Sequence, residues 1–100
     1  MKQTVVLYKT EEAKAEENED LIKGVFKTLH ARSPKGFRYL ALKLGNNEFL
    51  HLGFLYGGDK SLSALKAFQV FRHGIEARCS ERPQTGDAAI IGNYRVLEYA

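Results

Sequence analysis

The sequence predicts an α+β domain in which one four-stranded antiparallel sheet carries two helices on one face. The main observation is the order of hydrophobic periodicities along the 100 residues. The period is two, then about 3.6, then two in two runs around a short turn, then about 3.6, then two. That order is β-α-β-β-α-β, a split β-α-β unit repeated once. Hardly any residue is left over, so we expect residues 1–100 to form a single domain.

The first strand and the first helix are defined by different patterns. A β-branched and aromatic run predicts a strand over Thr4–Lys9. The helix begins within the acidic segment 10–20, and Pro34 with Gly36 ends it. Its apolar positions recur at steps of three and four residues: Leu21, Ile22, Val25, Phe26 and Leu29.

The middle of the chain predicts a β-hairpin. Strands are expected over Phe37–Leu44 and Glu48–Tyr56, and the connecting residues Gly45–Asn47 tolerate positive φ. With this loop, Leu44 pairs with Glu48.

The last third predicts a second helix and a final strand. Ser61 or Ser63 is suited to cap the helix. Pro83–Asp87 is expected to be a loop, and Ala88–Tyr99 the last strand. The apolar stripe of the helix consists of Leu62, Leu65, Phe68, Phe71, Ile75 and Cys79.

Both faces of the hairpin are apolar, which is unusual for a sheet with helices on one side and water on the other. One face carries Leu40, Leu42, Leu50, Leu52 and Phe54. The other carries Phe37, Tyr39, Ala41, Phe49, His51, Gly53 and Leu55. We therefore expect a homodimer in which two copies pack through the sheet face. The alternative is that exposed Leu and Phe side chains are simply tolerated.

Composition excludes some classes of protein. The net charge of +3 is a mild basic excess and indicates no clustered nucleic-acid surface. No apolar run reaches the roughly 18–20 residues of a membrane span. The single Cys79 forms no internal disulfide, which fits a reducing compartment. We expect a cytoplasmic protein.

Four segments carry a family resemblance over nearly the whole chain: Glu16–Leu21, Gly36–Tyr39, Phe49–Leu52 and Leu65–Gln69. The chain resembles the dimeric α/β-barrel (ferredoxin-like) proteins, and more narrowly the small antibiotic-biosynthesis-monooxygenase-like proteins. The resemblance implies a homodimer whose sheets face each other and a small-molecule pocket between sheet and helices. It also implies, for some members, oxidation of quinol- or anthrone-like aromatics without a cofactor. Members that degrade haem depend on a Trp, and this chain has none.

Cofactor-free oxygenation of an aromatic needs a base or a cation beside the substrate hydroxyl, in a dry aromatic pocket. His51, a partly desolvated imidazole, is the candidate catalytic base. Tyr39 and Arg72 are candidates for orienting the substrate. Phe68 and Gln69, close to Arg72, are further candidate substrate-binding residues. The simpler interpretations are a hydrogen-bonded core histidine, a tyrosine bound to backbone and a solvated arginine.

The sequence predicts no metal site, because its three His and one Cys have no ligand spacing. The resemblance to cofactor-free monooxygenases implies that no cofactor is needed. It leaves two functions open besides the cofactor-independent monooxygenase. One is a non-catalytic barrel that binds a small ligand. The other is RNA binding, since Lys35–Leu42 resembles the aromatic motif of RNA-recognition domains. That motif here lies in the second strand instead of the third, which disfavours a nucleic-acid partner.

Overall fold

A computed structural model of the chain describes residues 2–55 and 65–96. Their four strands form one antiparallel sheet in the order β2-β3-β1-β4, with helices packed on one face. The predicted α+β architecture is confirmed. The elements are β1 (Lys2–Thr10), α1 (Ala15–Arg32), β2 (Phe37–Lys43), β3 (Glu48–Leu55), α2 (Lys66–His73), α3 (Ile75–Arg78) and β4 (Cys79–Asp87), with 3₁₀ turns at Glu12–Lys14 and Gly45–Asn47.

The end of α1 and the hairpin turn form as the sequence predicts. Ser33 takes a left-handed conformation with φ of 45°, and its N–H donates to the Leu29 carbonyl at 2.7 Å. In the turn, Asn46 and Asn47 have positive φ. The Leu44 N–H donates to the Glu48 carbonyl at 2.8 Å, so the strand register is the predicted one.

The last strand lies earlier in the chain than the sequence predicts. β4 spans Cys79–Asp87 and pairs with β1, so the predicted loop at Pro83–Asp87 is wrong. Residues 88–96 form no strand, which contradicts the prediction for Ala88–Tyr99, and residues 97–99 lie outside the described part. Cys79 is the first residue of β4, so its predicted place on the apolar stripe of the second helix is wrong. β4 is an edge strand with mostly exposed side chains, so it has no hydrophobic alternation to reveal it.

The core lies between the sheet and the helices. It is centred on four buried side chains, those of Tyr8, Val25, Phe49 and Phe71. The predicted helix caps Ser61 and Ser63, and the stripe residue Leu62, lie outside the described residues. Within the described ranges, no helix is both long and apolar enough to cross a membrane.

The opposite face of the sheet is apolar, and its leucines are exposed to different degrees in the single chain, whereas Phe54 on the same face is buried. Leu40 and Leu42 on β2 are 42% and 41% exposed. Leu50 and Leu52, their partners on β3, are partly exposed. Since the described helices pack on the other face, these four leucines form an apolar surface that is suited to association.

Candidate active site

His51 lies at the centre of the helix-covered face of the sheet. It pairs with Val6 on β1 and with Ala41 on β2. Tyr8 is two residues beyond Val6, and Tyr39 is two residues before Ala41. Diagonal neighbours on one face of a sheet are within reach of aromatic side chains. The register therefore brings two tyrosines to the two sides of one imidazole.

Both ring nitrogens of His51 are hydrogen-bonded to tyrosine hydroxyls. The Tyr8 hydroxyl lies 2.8 Å from Nε2, and the Tyr39 hydroxyl contacts Nδ1. His51 is 4% exposed and its ring stacks on that of Phe71, with centroids 5.4 Å apart. Tyr39, which is partly exposed, therefore connects the buried imidazole to the protein surface.

The network continues behind Tyr8 into the two helices that cover the sheet. Asn18 of α1 is fully buried, and its Nδ2 donates to the Tyr8 hydroxyl at 2.9 Å. Arg78 of α3 donates from Nε to the Asn18 Oδ1 at 2.9 Å and from Nη2 to the Phe71 carbonyl at 2.6 Å. The guanidinium also lies 5.3 Å from the centre of the Phe71 ring. Arg78 is 5% exposed, and no carboxylate among the described residues pairs with it.

Burial sets the protonation states in this network. It lowers the pKa of His51 to about 4, so the ring is neutral at pH 7 and not tuned to neutrality. It raises the pKa of Tyr8 to about 12, against the opposing effects of the Asn18 hydrogen bond and the Arg78 charge. Burial also raises the pKa of Tyr39 above its ordinary value. Both tyrosines are therefore neutral hydrogen-bonding groups.

Tyr39 forms one wall of a cavity of about 350 Å³ between α1 and β2, which we call the α1–β2 cavity. The Tyr39 ring stacks on Phe26, with centroids 5.1 Å apart and planes 1° apart. The α1–β2 cavity is lined by Phe26, Leu29, His30, Ser33, Pro34, Phe37 and Tyr39. Aromatic walls with a few polar groups suit a small aromatic ligand.

The other predicted site residues lie elsewhere. Phe68, Gln69 and Arg72 line a separate cavity of about 460 Å³ on α2, together with His73. The Phe68 ring is 6.1 Å from that of Phe71, which in turn stacks on His51. The structure thus brings His51 and Tyr39 into contact and groups the three α2 residues apart from them.

Sequence reasoning missed Tyr8, Asn18, Arg78 and the position of His30. Asn18 precedes Leu21 by three residues and Val25 by seven, so it falls on the apolar face of α1. A polar residue on the apolar face of a helix indicates a buried hydrogen bond, and this pattern could have identified Asn18. Among residues 2–55 and 65–96, no three His, Cys, Asp or Glu side chains are grouped as metal ligands.

Phe37 and Tyr39, the aromatics of the RNA-binding-like motif, are on the helix-covered face. Their rings contact each other at 5.8 Å, and both line the α1–β2 cavity. Bases stack on aromatics of an open sheet face. On the open face of this sheet, β2 presents leucines instead.

No model of a protein family matches the chain, and a search of curated proteins finds no relative. Solved structures do match. SnoaB, a cofactor-independent oxygenase from Streptomyces nogalater, is 17% identical with a TM-score of 0.67, over 94% of this chain and 96% of that one.

Two further matches are named after the antibiotic biosynthesis monooxygenases. The Caulobacter crescentus protein is 18% identical with a TM-score of 0.71, over 91% of this chain and 90% of that one. The Bacteroides thetaiotaomicron protein is 17% identical with a TM-score of 0.71, over 99% and 95%. These likenesses confirm the ferredoxin-like fold that the sequence predicts and the resemblance to this structural group.

Proposed function

We propose that this chain, which has the fold of the antibiotic biosynthesis monooxygenases, is a cofactor-independent oxygenase for a small aromatic or quinol-type molecule. The observation that carries the proposal is the position of Tyr39, which both lines the aromatic α1–β2 cavity and hydrogen-bonds to buried His51. The oxygenase name of one structural neighbour supports the reaction class.

The proposed reaction begins with loss of a proton from the substrate hydroxyl. Tyr39 donates a hydrogen bond to the resulting oxyanion and stabilises it. His30 lines the same cavity and is the proposed proton acceptor. His51, predicted as the base, acts through Tyr39 in this arrangement because both its nitrogens are occupied.

The electron-rich anion then reacts with dioxygen. One electron passes to oxygen, the two radicals combine to form a C–O bond, and the peroxide takes up the proton. Loss of water leaves a carbonyl group. For an anthrone-type CH₂ group the sum is R₂CH₂ plus O₂ giving R₂C=O plus H₂O, so one oxygen atom enters the product and the other leaves as water.

A non-catalytic ligand-binding protein is the second candidate. It is favoured by the lowered pKa of His51, about 4, and by the hydrogen bonds at both its nitrogens, which leave no free base in the network. The same cavity then binds an aromatic ligand without turning it over.

We further propose a cytoplasmic homodimer formed through the open sheet face. The exposed Leu40 and Leu42 support the interface, and the single Cys79 supports the compartment. Phe68, Gln69 and Arg72 remain proposed ligand contacts in the α2 cavity.

The test is oxygen uptake with a panel of anthrones and naphthoquinols, with EDTA present and heat-unfolded protein as the background. We expect turnover by the wild-type chain and a loss of about 100-fold in kcat/KM for Tyr39→Phe. Tyr94→Phe, at an 80% exposed position, is the matched control. Binding of a panel member without oxygen uptake supports the second candidate instead, and neither binding nor uptake contradicts both.

A further inference from the structure

The polar groups behind Tyr39 allow hydrogen-bond donation in one direction only. A guanidinium donates and never accepts. Since Nε of Arg78 lies 2.9 Å from the side-chain amide of Asn18, the amide oxygen must face Arg78. The amide nitrogen of Asn18 therefore faces Tyr8 and donates to its hydroxyl oxygen at 2.9 Å.

The same reasoning fixes the proton of His51. Tyr8 is 2% exposed, and Nε2 of His51, at 2.8 Å, is the remaining acceptor for its hydroxyl hydrogen among the described residues. A proton on Nε2 would instead leave that hydrogen buried and unpaired, which disfavours this tautomer by about tenfold or more. The neutral ring therefore carries its proton on Nδ1 and donates it to the Tyr39 oxygen.

We infer that Asn18 and Arg78 are positioning residues that hold the His51 proton on Nδ1 and so leave the Tyr39 hydroxyl hydrogen for an acceptor oxygen of the ligand. No second partner of that hydroxyl lies in the part of the chain that the structure describes. Donation then runs from Arg78 through Asn18, Tyr8 and His51 to Tyr39. The ligand part of this inference rests on the proposed function: the site selects a phenolate, enolate or carbonyl oxygen.

The tautomer is measurable in the wild-type chain without any ligand. Long-range proton–nitrogen NMR correlations of the ¹⁵N-labelled protein at pH 7 distinguish protonated from unprotonated ring nitrogens. His51→Gln assigns the signals against those of the exposed His30 and His73. A protonated Nδ1 at His51 supports the inference, and a protonated Nε2 overturns it.

We expect Asn18→Asp to reverse the direction of hydrogen-bond donation between Tyr8, His51 and Tyr39. A carboxylate only accepts, so it takes hydrogen bonds from Arg78 and from the Tyr8 hydroxyl. The His51 proton then moves to Nε2, and the Tyr39 hydroxyl donates inward to Nδ1. We expect the NMR pattern of His51 to invert in Asn18→Asp. Asn46→Asp, the same change in the exposed hairpin turn, leaves the pattern as in wild type. A folded Asn18→Asp protein with the wild-type pattern contradicts the inference. If that variant does not fold, the tautomer of His51 in the wild-type chain alone decides whether the inference holds.

Titration with 4-nitrophenolate, followed by its absorbance, tests the ligand preference. We expect Asn18→Asp to weaken phenolate binding about tenfold or more, because Tyr39 no longer donates outward. Equal phenolate affinity in the two proteins, or no phenolate binding by wild type, overturns the ligand preference. Failure of the proposed function is distinguishable, since the His51 tautomer is independent of oxygen uptake.

Discussion

Gly74 leaves the space in which the guanidinium of Arg78 lies. A Cβ atom at Gly74 would come within 2.9 Å of Nη1 of Arg78. The guanidinium is held by the Asn18 amide, the Phe71 carbonyl and the Phe71 ring, so it has little freedom to move away. A glycine between two short helices thus permits the buried network.

We expect Gly74→Ala to lower the free energy of unfolding by about 1–2 kcal/mol, because the displaced Arg78 loses hydrogen bonds in the core. The matched control is Gly24→Ala in the interior of α1, where a Cβ meets no atom within 4 Å. That substitution should raise the free energy of unfolding by about 0.5–1 kcal/mol. Urea unfolding followed by circular dichroism measures both. Equal effects of the two substitutions would contradict the packing of Gly74 against Arg78.

Burial of His51 makes stability depend on pH. Its pKa is about 4 in the folded chain against an ordinary value of 6.5, so the unfolded chain binds more protons between these values. Stability from this group is therefore fully present above pH 6.5 and is lost as the pH falls toward 4, by about 3 kcal/mol in total. Urea unfolding at several pH values measures this slope. His51→Gln should flatten it and His30→Gln should not. An unchanged slope in His51→Gln would show that other groups cause it.

The two tyrosines beside His51 differ in the number of buried groups that hydrogen-bond to their hydroxyls. Tyr8→Phe leaves the Asn18 amide nitrogen and Nε2 of His51 unpaired in the core, so we expect a loss of about 2 kcal/mol or more in unfolding free energy. Tyr39→Phe leaves one group, Nδ1 of buried His51, unpaired beside the partly exposed Tyr39 ring and should cost about 1 kcal/mol. Chemical denaturation of both variants gives the comparison. A larger loss in Tyr39→Phe would contradict the order of burial.

The open sheet face predicts dimer formation. We expect light scattering to show a dimer at micromolar concentration. Leu42→Lys should weaken it at least about tenfold, since an unpaired ammonium would be buried. Val70→Lys, at a 51% exposed apolar position on α2, is the control and should leave the dimer intact. A wild-type monomer would remove the basis for the interface and reopen RNA binding.

The sequence predicts most of the fold because most elements have a periodic apolar pattern. The apolar face of α1 and the apolar runs of β2 and β3 on either side of the turn lie where the sequence places them. β4 is not predicted, because Cys79–Asp87 has no periodic apolar pattern and contains Pro83 and Gly86. Its strand structure depends on pairing with β1. Residues 88–96 have a strand-like composition, with exposed Ile91. The strand ends at Asp87, although the Ala88 N–H still donates to the Gln3 carbonyl of β1 at 3.0 Å.

The candidate site is predictable only in part. His51 and Tyr39 are twelve residues apart on paired strands, so the hairpin register brings them together. Asn18 and Arg78 are sixty residues apart and meet only when α1 and α3 pack on the same face. Local sequence patterns carry no information on such a contact, because it depends on how the helices are placed on the sheet.

The polar character of β4 has a consequence for how copies of the chain associate. An exposed edge strand with a proline and charged side chains disfavours the addition of a further strand. Pro83, Glu81 and Arg82 supply these features at the β4 edge. Growth of the sheet into an extended ribbon of many chains is therefore opposed at that edge. The proposed face-to-face pair avoids strand addition at this edge, and its size is limited to two copies by its own geometry.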